Sequence, residues 1–190
     1  SDRRTSVQDG AGRSWLSAFD ALDRVISVTD PDIDTVASAW SEENYLTGFT
    51  DANTYQTSYV RNGFGDVIRE TSPDTGTTDY WYDAAGNVTK IVDASGHEVN
   101  YAFGGNAGKG RLTSVNGVTV DQAFTYDNHG RLTSELLAVG SQSYVTQYGY
   151  NSAGQLETLI LPSGREHHYT NDGFGRATAI STKATASAPS

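Results

Sequence analysis

Apolar residues recur along this chain in short runs, each closed by a cluster of Asp, Asn, Ser and Gly. Outgoing runs carry Val25 and Val28, Leu46 and Phe49, Val67 and Ile68, Val88 and Ile91, Leu112 and Val115, Leu132 and Leu136, and Leu156 and Leu159. Return runs end on aromatics just before the next polar cluster: Phe19, Trp40, Tyr59, Tyr80 with Tyr82, Tyr101 with Phe103, Tyr126, Tyr150 and Tyr169. The frequent i, i+3 spacing would also suit a helix. About seven residues between Gly-containing turns, rich in Val, Ile and Thr, cannot hold one. The pattern predicts strands with a local twist or bulge.

The polar clusters keep a period. Asp83-Ala-Ala-Gly86 recurs as Asp127-Asn-His-Gly130, Asn151-Ser-Ala-Gly154, Asp172-Gly-Phe-Gly175 and Asn62-Gly-Phe-Gly65, and more loosely as Ser41-Glu-Glu-Asn44 and Asp20-Ala-Leu-Asp23. With Gly110 of Gly108-Lys109-Gly110, the last turn positions are Asp23, Asn44, Gly65, Gly86, Gly110, Gly130, Gly154 and Gly175, spaced 21, 21, 21, 24, 20, 24 and 21 apart. Asp, Asn or Ser at the first position can accept a backbone N–H two residues on, and Gly at the fourth supplies the positive φ that closes a type I turn with a bulge. Asn and Asp, which replace Gly twice, also tolerate a left-handed backbone. A second turn falls midway through most units: Asp9-Gly-Ala-Gly12, Asp30-Pro-Asp-Ile33, Asp51-Ala-Asn-Thr54, Pro73-Asp-Thr-Gly76, Asp93-Ala-Ser-Gly96, Asn116-Gly117, Gly140-Ser141 and Pro162-Ser-Gly164. The expected unit is strand, turn, strand, turn. About eight such units, hence sixteen strands, fill residues 9–180, with residues 1–8 as an N-terminal flank and the Ala-, Ser- and Thr-rich residues 181–190 as a flexible linker or tail.

At this point the motifs match a family. Tyr126-Asp-Asn-His-Gly-Arg-Leu-Thr-Ser134 and Tyr82-Asp-Ala-Ala-Gly-Asn-Val-Thr-Lys90 resemble the tyrosine-aspartate (YD, or RHS) repeat: Tyr-Asp, two variable residues, Gly-Arg-Leu, then Thr. Tyr150-Asn-Ser-Ala-Gly-Gln-Leu156 and Asp172-Gly-Phe-Gly-Arg176 are close variants, whereas Leu22-Asp23-Arg24 and Asn44-Tyr45-Leu46 depart from Gly-Arg-Leu. The family includes bacterial Rhs polymorphic toxins, shell components of Tc insecticidal toxin complexes, and teneurins. The resemblance implies an all-β fold of tandem antiparallel hairpins in a curved or spiralling sheet, part of a hollow shell. In bacterial members that shell encloses a toxic C-terminal domain. The function so implied is a non-catalytic scaffold in a secreted or cell-surface bacterial protein, with adjoining YD repeats and an enclosed toxin domain as partners. The expected structural residues are the turn glycines Gly65, Gly86, Gly110, Gly130, Gly154 and Gly175, and the aromatics Tyr59, Tyr82, Tyr101, Tyr126, Tyr150 and Tyr169.

Composition narrows the alternatives. The 190 residues carry 13 Lys+Arg against 23 Asp+Glu, a net charge of −10. A groove that follows phosphate backbones needs the opposite sign, so no nucleic-acid partner is expected, and anionic membranes are disfavoured too. The 36% of hydrophobic residues is lean for a bundle and suits many short strands. No apolar run approaches a membrane span. The sequence contains no Cys, which excludes disulfides, thiolate catalysis and cysteine-ligated zinc. It begins at Ser1 and contains no Met, and is read as a piece of a longer protein whose export signals lie outside it.

No catalytic set, cofactor or metal is expected. His97 and His129 sit in or beside turns, and the adjacent His167 and His168 point to opposite faces of a strand, which ill suits a shared metal. Asp30-Pro-Asp-Ile-Asp34 opens like a calcium loop, but Thr35 and Ser41 stand where an EF-hand needs Gly and Glu, so a solvated turn is the reading. No Gly-x-Ser-x-Gly elbow occurs. Gly104-Gly-Asn-Ala-Gly-Lys-Gly110 is followed by Arg111 and lacks the order of a phosphate loop; a lengthened hairpin turn is expected. The aromatic ladder has two readings, cross-strand packing and a stacking platform for sugar rings. Packing is preferred. An extracellular carbohydrate- or protein-binding module remains the alternative function.

Overall fold

The computed structural model describes residues 3–104 and 110–183. All seventeen regular elements among them are strands. The chain divides into two compact units, residues 1–86 with 91–96, and residues 87–90 with 97–190. The first unit contains β1 (Arg3–Gln8), β2 (Ser14–Phe19), β3 (Val25–Thr29), β4 (Thr35–Trp40), β5 (Leu46–Thr50), β6 (Gln56–Arg61), β7 (Val67–Ser72) and β8 (Gly76–Tyr82), each antiparallel to the one before. The division falls within β9 (Val88–Val92). The second unit contains β10 (Glu98–Phe103), β11 (Leu112–Asn116), β12 (Val120–Tyr126), β13 (Leu132–Val139), β14 (Gln142–Tyr150), β15 (Leu156–Ile160), β16 (Glu166–Asn171) and β17 (Ala177–Lys183), again a consecutive antiparallel meander. The all-β hairpin architecture read from the sequence is the one observed.

Strand pairing runs past both limits set for the repeat array. Arg3–Gln8, assigned to a flank, pairs along its length with Ser14–Phe19. β17 continues to Lys183, three residues into the segment assigned to a tail. Pairing can run past the motif residues because ladder bonds use backbone groups that every non-proline residue supplies. Residues 184–190 of the expected tail, and residues 105–109 of the expected long turn, lie outside the described residues.

The turns have one construction. In twelve of them the fourth residue donates its N–H to the carbonyl of the first at 2.8–3.2 Å. In every one of the twelve the fourth residue has positive φ. In eight turns the first residue is Asp or Asn, and its Oδ1 accepts the N–H groups of the third and fifth residues at 2.8–3.0 Å. That side-chain network is strong enough to impose the left-handed backbone on poor candidates. Ile33 has φ 75° and Thr54 has φ 67°, although a β-branched residue is a genuine outlier there. Ile33 is 83% exposed, so its side chain gains little in compensation. Ile33→Gly is therefore expected to stabilise the chain by about 1 kcal/mol, the relief of left-handed strain outweighing the added entropy of the unfolded chain. Urea titration checks this, and a lower midpoint for the variant would refute it.

The i, i+3 spacing has its cause in the register. After the turns that begin at Asp20, Ser41, Asn62, Gly104, Asp127, Asn151 and Asp172 the outgoing strand holds one residue more than its partner. Phe19 pairs with Val25 while Ala18 pairs with Ser27, leaving Ile26 as the extra residue. The same shift lies between Ala39 and Trp40, Val60 and Arg61, Ala102 and Phe103, Thr125 and Tyr126, Gly149 and Tyr150, and Thr170 and Asn171. A β-bulge of this kind offsets the two-residue alternation by one, so Val25 and Val28, Leu46 and Phe49, or Leu156 and Leu159 fall on one face. Threonine at the bulge gains a bond there: Thr113 Oγ1 donates to the Ala102 carbonyl at 3.1 Å, and Thr178 Oγ1 to that of Thr170 at 3.0 Å.

In the first unit the two faces differ. One carries Phe19, Val28, Val36, Trp40, Leu46, Phe49 and Tyr59, and the other the small residues Ala18, Ser27, Ala37, Ala39, Gly48 and Ser58. Ala18, at 8% exposure, is the one buried hydrophobic side chain among the described residues. There is no enclosed core of the kind that a two-layer domain builds. Cohesion has to come from the ladders, the cross-strand pairs and the turns.

Candidate functional site

With no core to hold them, successive repeats are tied together along the edge where the Asp-type turns lie. Each rung of this edge is built from four positions: the first and fifth residues of a turn, the sixth residue that opens the bulged strand, and the residue just before the next turn.

The sixth residue's carbonyl sits at the bulge, where the ladder is interrupted, and the residue before the next turn supplies the missing donor. Tyr82 Oη donates to the Val67 carbonyl at 2.7 Å, Tyr126 Oη to Leu112 at 2.7 Å and Tyr150 Oη to Leu132 at 2.8 Å. In three repeats without tyrosine there, a chemically different donor reaches the equivalent carbonyl. Trp40 Nε1 donates to Val25 at 2.9 Å, Arg61 Nε to Leu46 at 3.4 Å, and Asn171 Nδ2 to Leu156 at 2.8 Å. Burial raises the Tyr82 phenol above its ordinary value, and the nearby Asp66 carboxylate acts in the same direction, so the hydroxyl keeps its proton and its role as donor.

The fifth residue completes the rung. Arg131 Nε donates to Asp127 Oδ2 at 2.6 Å, while its guanidinium carbon lies 4.6 Å from the centroid of the Tyr150 ring. Arg24 donates to Asp20 at 2.6 Å, lies 5.6 Å from the Trp40 ring, and donates Nη1 to the Ser41 carbonyl at 2.7 Å. It thereby joins one turn to the next. Gln155 bridges in the same sense, with Nε2 donating to the Asp172 carbonyl at 3.5 Å. Asp127 and Asp172 are held below the usual carboxylate range, first by the backbone N–H of Arg131 and of Arg176 respectively. At Asp20 desolvation pulls upward, but the backbone and side-chain bonds from Arg24 outweigh it and the net direction is down. These carboxylates are fixed acceptors within their turns.

The expected turn glycines Gly65, Gly86, Gly110, Gly130, Gly154 and Gly175 have φ between 68° and 91°. The expected aromatics separate into two sets. Tyr82, Tyr126 and Tyr150 occupy the donor position. Tyr59, Tyr101 and Tyr169 stand two residues earlier, paired across strands with Glu70, Val115 and Ile180. Arg61 and Asn171, which serve as donors in two of those repeats, were not among the residues singled out from the sequence. The signal that finds them is position immediately before the turn, not aromatic character.

Other candidates stay apart. His167 Nδ1 is 3.1 Å from Thr182 Oγ1, and His168 Nε2 is 3.1 Å from Glu166 Oε1. Asp30 Oδ1 accepts the N–H groups of Asp32 and Asp34. Among the described residues no three His, Asp or Glu side chains converge on a point that could hold a metal ion.

The periodic Tyr–Asp–Gly–Arg rung is the decisive feature, and the family comparison agrees with it. Residues 51–185 match the teneurin YD-shell model. This chain belongs to the teneurin YD-shell family. No curated protein sequence matches it. Solved structures similar in fold include the Photorhabdus luminescens Tc holotoxin pore, at 14% identity and TM-score 0.57, covering 91% of this chain and 12% of that one. The TcdB2–TccC3 complex is similar at 14% identity and TM-score 0.54, covering 92% of this chain and 12% of that one. A TcdB2–TccC3 structure without the hypervariable C-terminal region gives 14% identity and TM-score 0.56, with 91% and 12% covered. The YD-shell chain described here thus spans about an eighth of the length of these structures, and at such identity the likeness is one of fold.

Proposed function

We propose that this chain is a length of shell wall in a longer secreted or cell-surface bacterial protein, and that the wall isolates an enclosed toxin or effector domain without taking part in catalysis. The observation that carries this reading is the rung. Asp, Arg and Tyr, the side chains best equipped for chemistry, are committed to backbone carbonyls, backbone N–H groups and one another. Each repeat binds the next by the same contacts, which is what a wall of indefinite length requires. Adjoining YD repeats of the parent chain are the natural partners.

The same contacts weigh against a sugar platform on this edge. The hydroxyls of Tyr82, Tyr126 and Tyr150 already donate to Val67, Leu112 and Leu132, and the Tyr126 and Tyr150 rings lie beneath Arg111 and Arg131.

Electron microscopy of the intact parent protein, combined with limited proteolysis, tests the reading. A hollow particle whose interior domain resists protease until the wall is breached is the expected result. A solid particle, or an effector domain digested as readily as a free one, would overturn it.

A further inference from the structure

Seven successive pairs of fifth residue and pre-turn residue can be compared. In Arg24/Trp40, Arg111/Tyr126 and Arg131/Tyr150 a guanidinium lies 4.6–5.8 Å from the ring of the next turn. In Tyr45/Arg61 the two partners are exchanged, with Arg61 5.4 Å from the Tyr45 ring and its Nη1 donating to the Gly65 carbonyl at 2.8 Å. Gln155/Asn171 is a pair of neutral amides, and Asn87/Phe103 an amide and a ring. The seventh pair is Asp66/Tyr82, where an anion stands in the place of the guanidinium.

The consequence is an open groove of about 540 Å³ between the turns 62–66 and 83–86, lined by Asn62, Phe64, Asp66, Tyr82, Asp83 and the backbone of the second turn. Its walls combine two rings with a carboxylate. Asn62 Nδ2 donates to Asp66 Oδ2 at 3.0 Å, and Asp66 forms no ion pair among the described residues. Phe64 is 90% exposed. An acidic, aromatic-lined slot is matched by a planar cation that can donate two hydrogen bonds to a carboxylate and stack on a ring. Three repeats further along the chain, Arg131 is held in a comparable way by Asp127 and the Tyr150 ring.

We infer that the groove at Phe64, Asp66 and Tyr82 receives an arginine side chain from a partner polypeptide, which supplies a guanidinium at the one rung whose fifth residue is an anion. The guanidinium lies against the Tyr82 ring and Phe64 and donates to Asp66. The net charge of −10 favours the approach of a basic segment. This site does not depend on the enclosure of an effector, and its failure would leave the shell reading intact.

The test uses the 190-residue chain, isotopically labelled, titrated with the capped peptide Gly-Arg-Gly and with its lysine and glutamine counterparts. Saturable NMR shifts confined to residues 63–66 and 82–86 are expected with the arginine peptide at millimolar concentration, weaker shifts with lysine and none with glutamine. Asp66→Asn should weaken the arginine response about tenfold, as loss of one charged partner does. Asp66→Arg should fill the slot from within, abolishing the response and raising the melting temperature. Equal shifts with arginine and lysine, or an arginine response untouched by Asp66→Asn, would overturn the inference.

Discussion

Gly76→Val is expected to destabilise the chain by about 3–5 kcal/mol, more than any other single turn substitution considered. Two costs coincide at this position. Gly76 has φ 74°, and a β-branched residue forced into that region costs about 1–3 kcal/mol. A Cβ at Gly76 would also stand 2.5 Å from the Ala94 Cβ, a methyl carbon tied directly to the backbone of another turn. Neither group has a rotamer through which to escape, so the backbone of the turn 93–96 has to move, at about a further 1–3 kcal/mol. Gly86→Val is the control. Gly86 has φ 83° but nothing within 4 Å of its added Cβ, so it should show the backbone cost alone. Equilibrium denaturation of the two variants separates the terms. Equal losses would mean that the Ala94 contact does not constrain the turn.

The two glycines look identical in the sequence, each closing a four-residue turn. What distinguishes them is a neighbour eighteen positions away, which only the stacking of repeats reveals. That contrast marks the limit of what could be read from residues alone. The turns themselves were legible because their hydrogen bonds are local: an Asp or Asn accepts two N–H groups within four residues, and the positive φ follows. Ile33 and Thr54 are instructive exceptions. Their identities argue against a left-handed backbone, yet the Asp30 and Asp51 networks impose it. The strands were legible as elements, but the single-residue bulge was visible only as an unexplained i, i+3 spacing. The donor position was not read from the sequence, where residue type was followed in place of register. Tyr59, Tyr101 and Tyr169 are aromatic, but Arg61, Phe103 and Asn171 stand next to the turn. A bulge carbonyl accepts from any donor of suitable reach, and indole, guanidinium, amide and phenol all serve, whereas Phe103 carries no donor. The Asp66 groove was not legible at all. It is defined by a departure from a pattern that first has to be seen in three dimensions, across Arg24, Tyr45, Arg111 and Arg131.

Tyr150 provides the largest effect expected from a side chain on the turn edge. Tyr150→Phe removes only the hydroxyl, leaving the Leu132 carbonyl without the bond it now accepts at 2.8 Å. The expected loss is about 1 kcal/mol. Tyr150→Ala also removes the ring that pairs with Leu156 and lies 4.6 Å from the Arg131 guanidinium. The expected loss rises to about 3 kcal/mol, the low end for deleting an aromatic because the site is half-exposed. Part of that loss belongs to the Arg131 contact. A double-mutant cycle with Arg131→Ala should return a coupling of about 0.5–1 kcal/mol. The comparison that decides the argument is Tyr169→Phe. Tyr169 faces Ile180 across the ladder, and among the described residues its hydroxyl makes no hydrogen bond, so its removal should be near neutral. If the repeats are held by register at the bulge, the two phenylalanine variants must differ. If Tyr150→Phe and Tyr169→Phe cost the same, the tyrosines act as packing aromatics wherever they fall on the strand, and the rung is not what joins one repeat to the next.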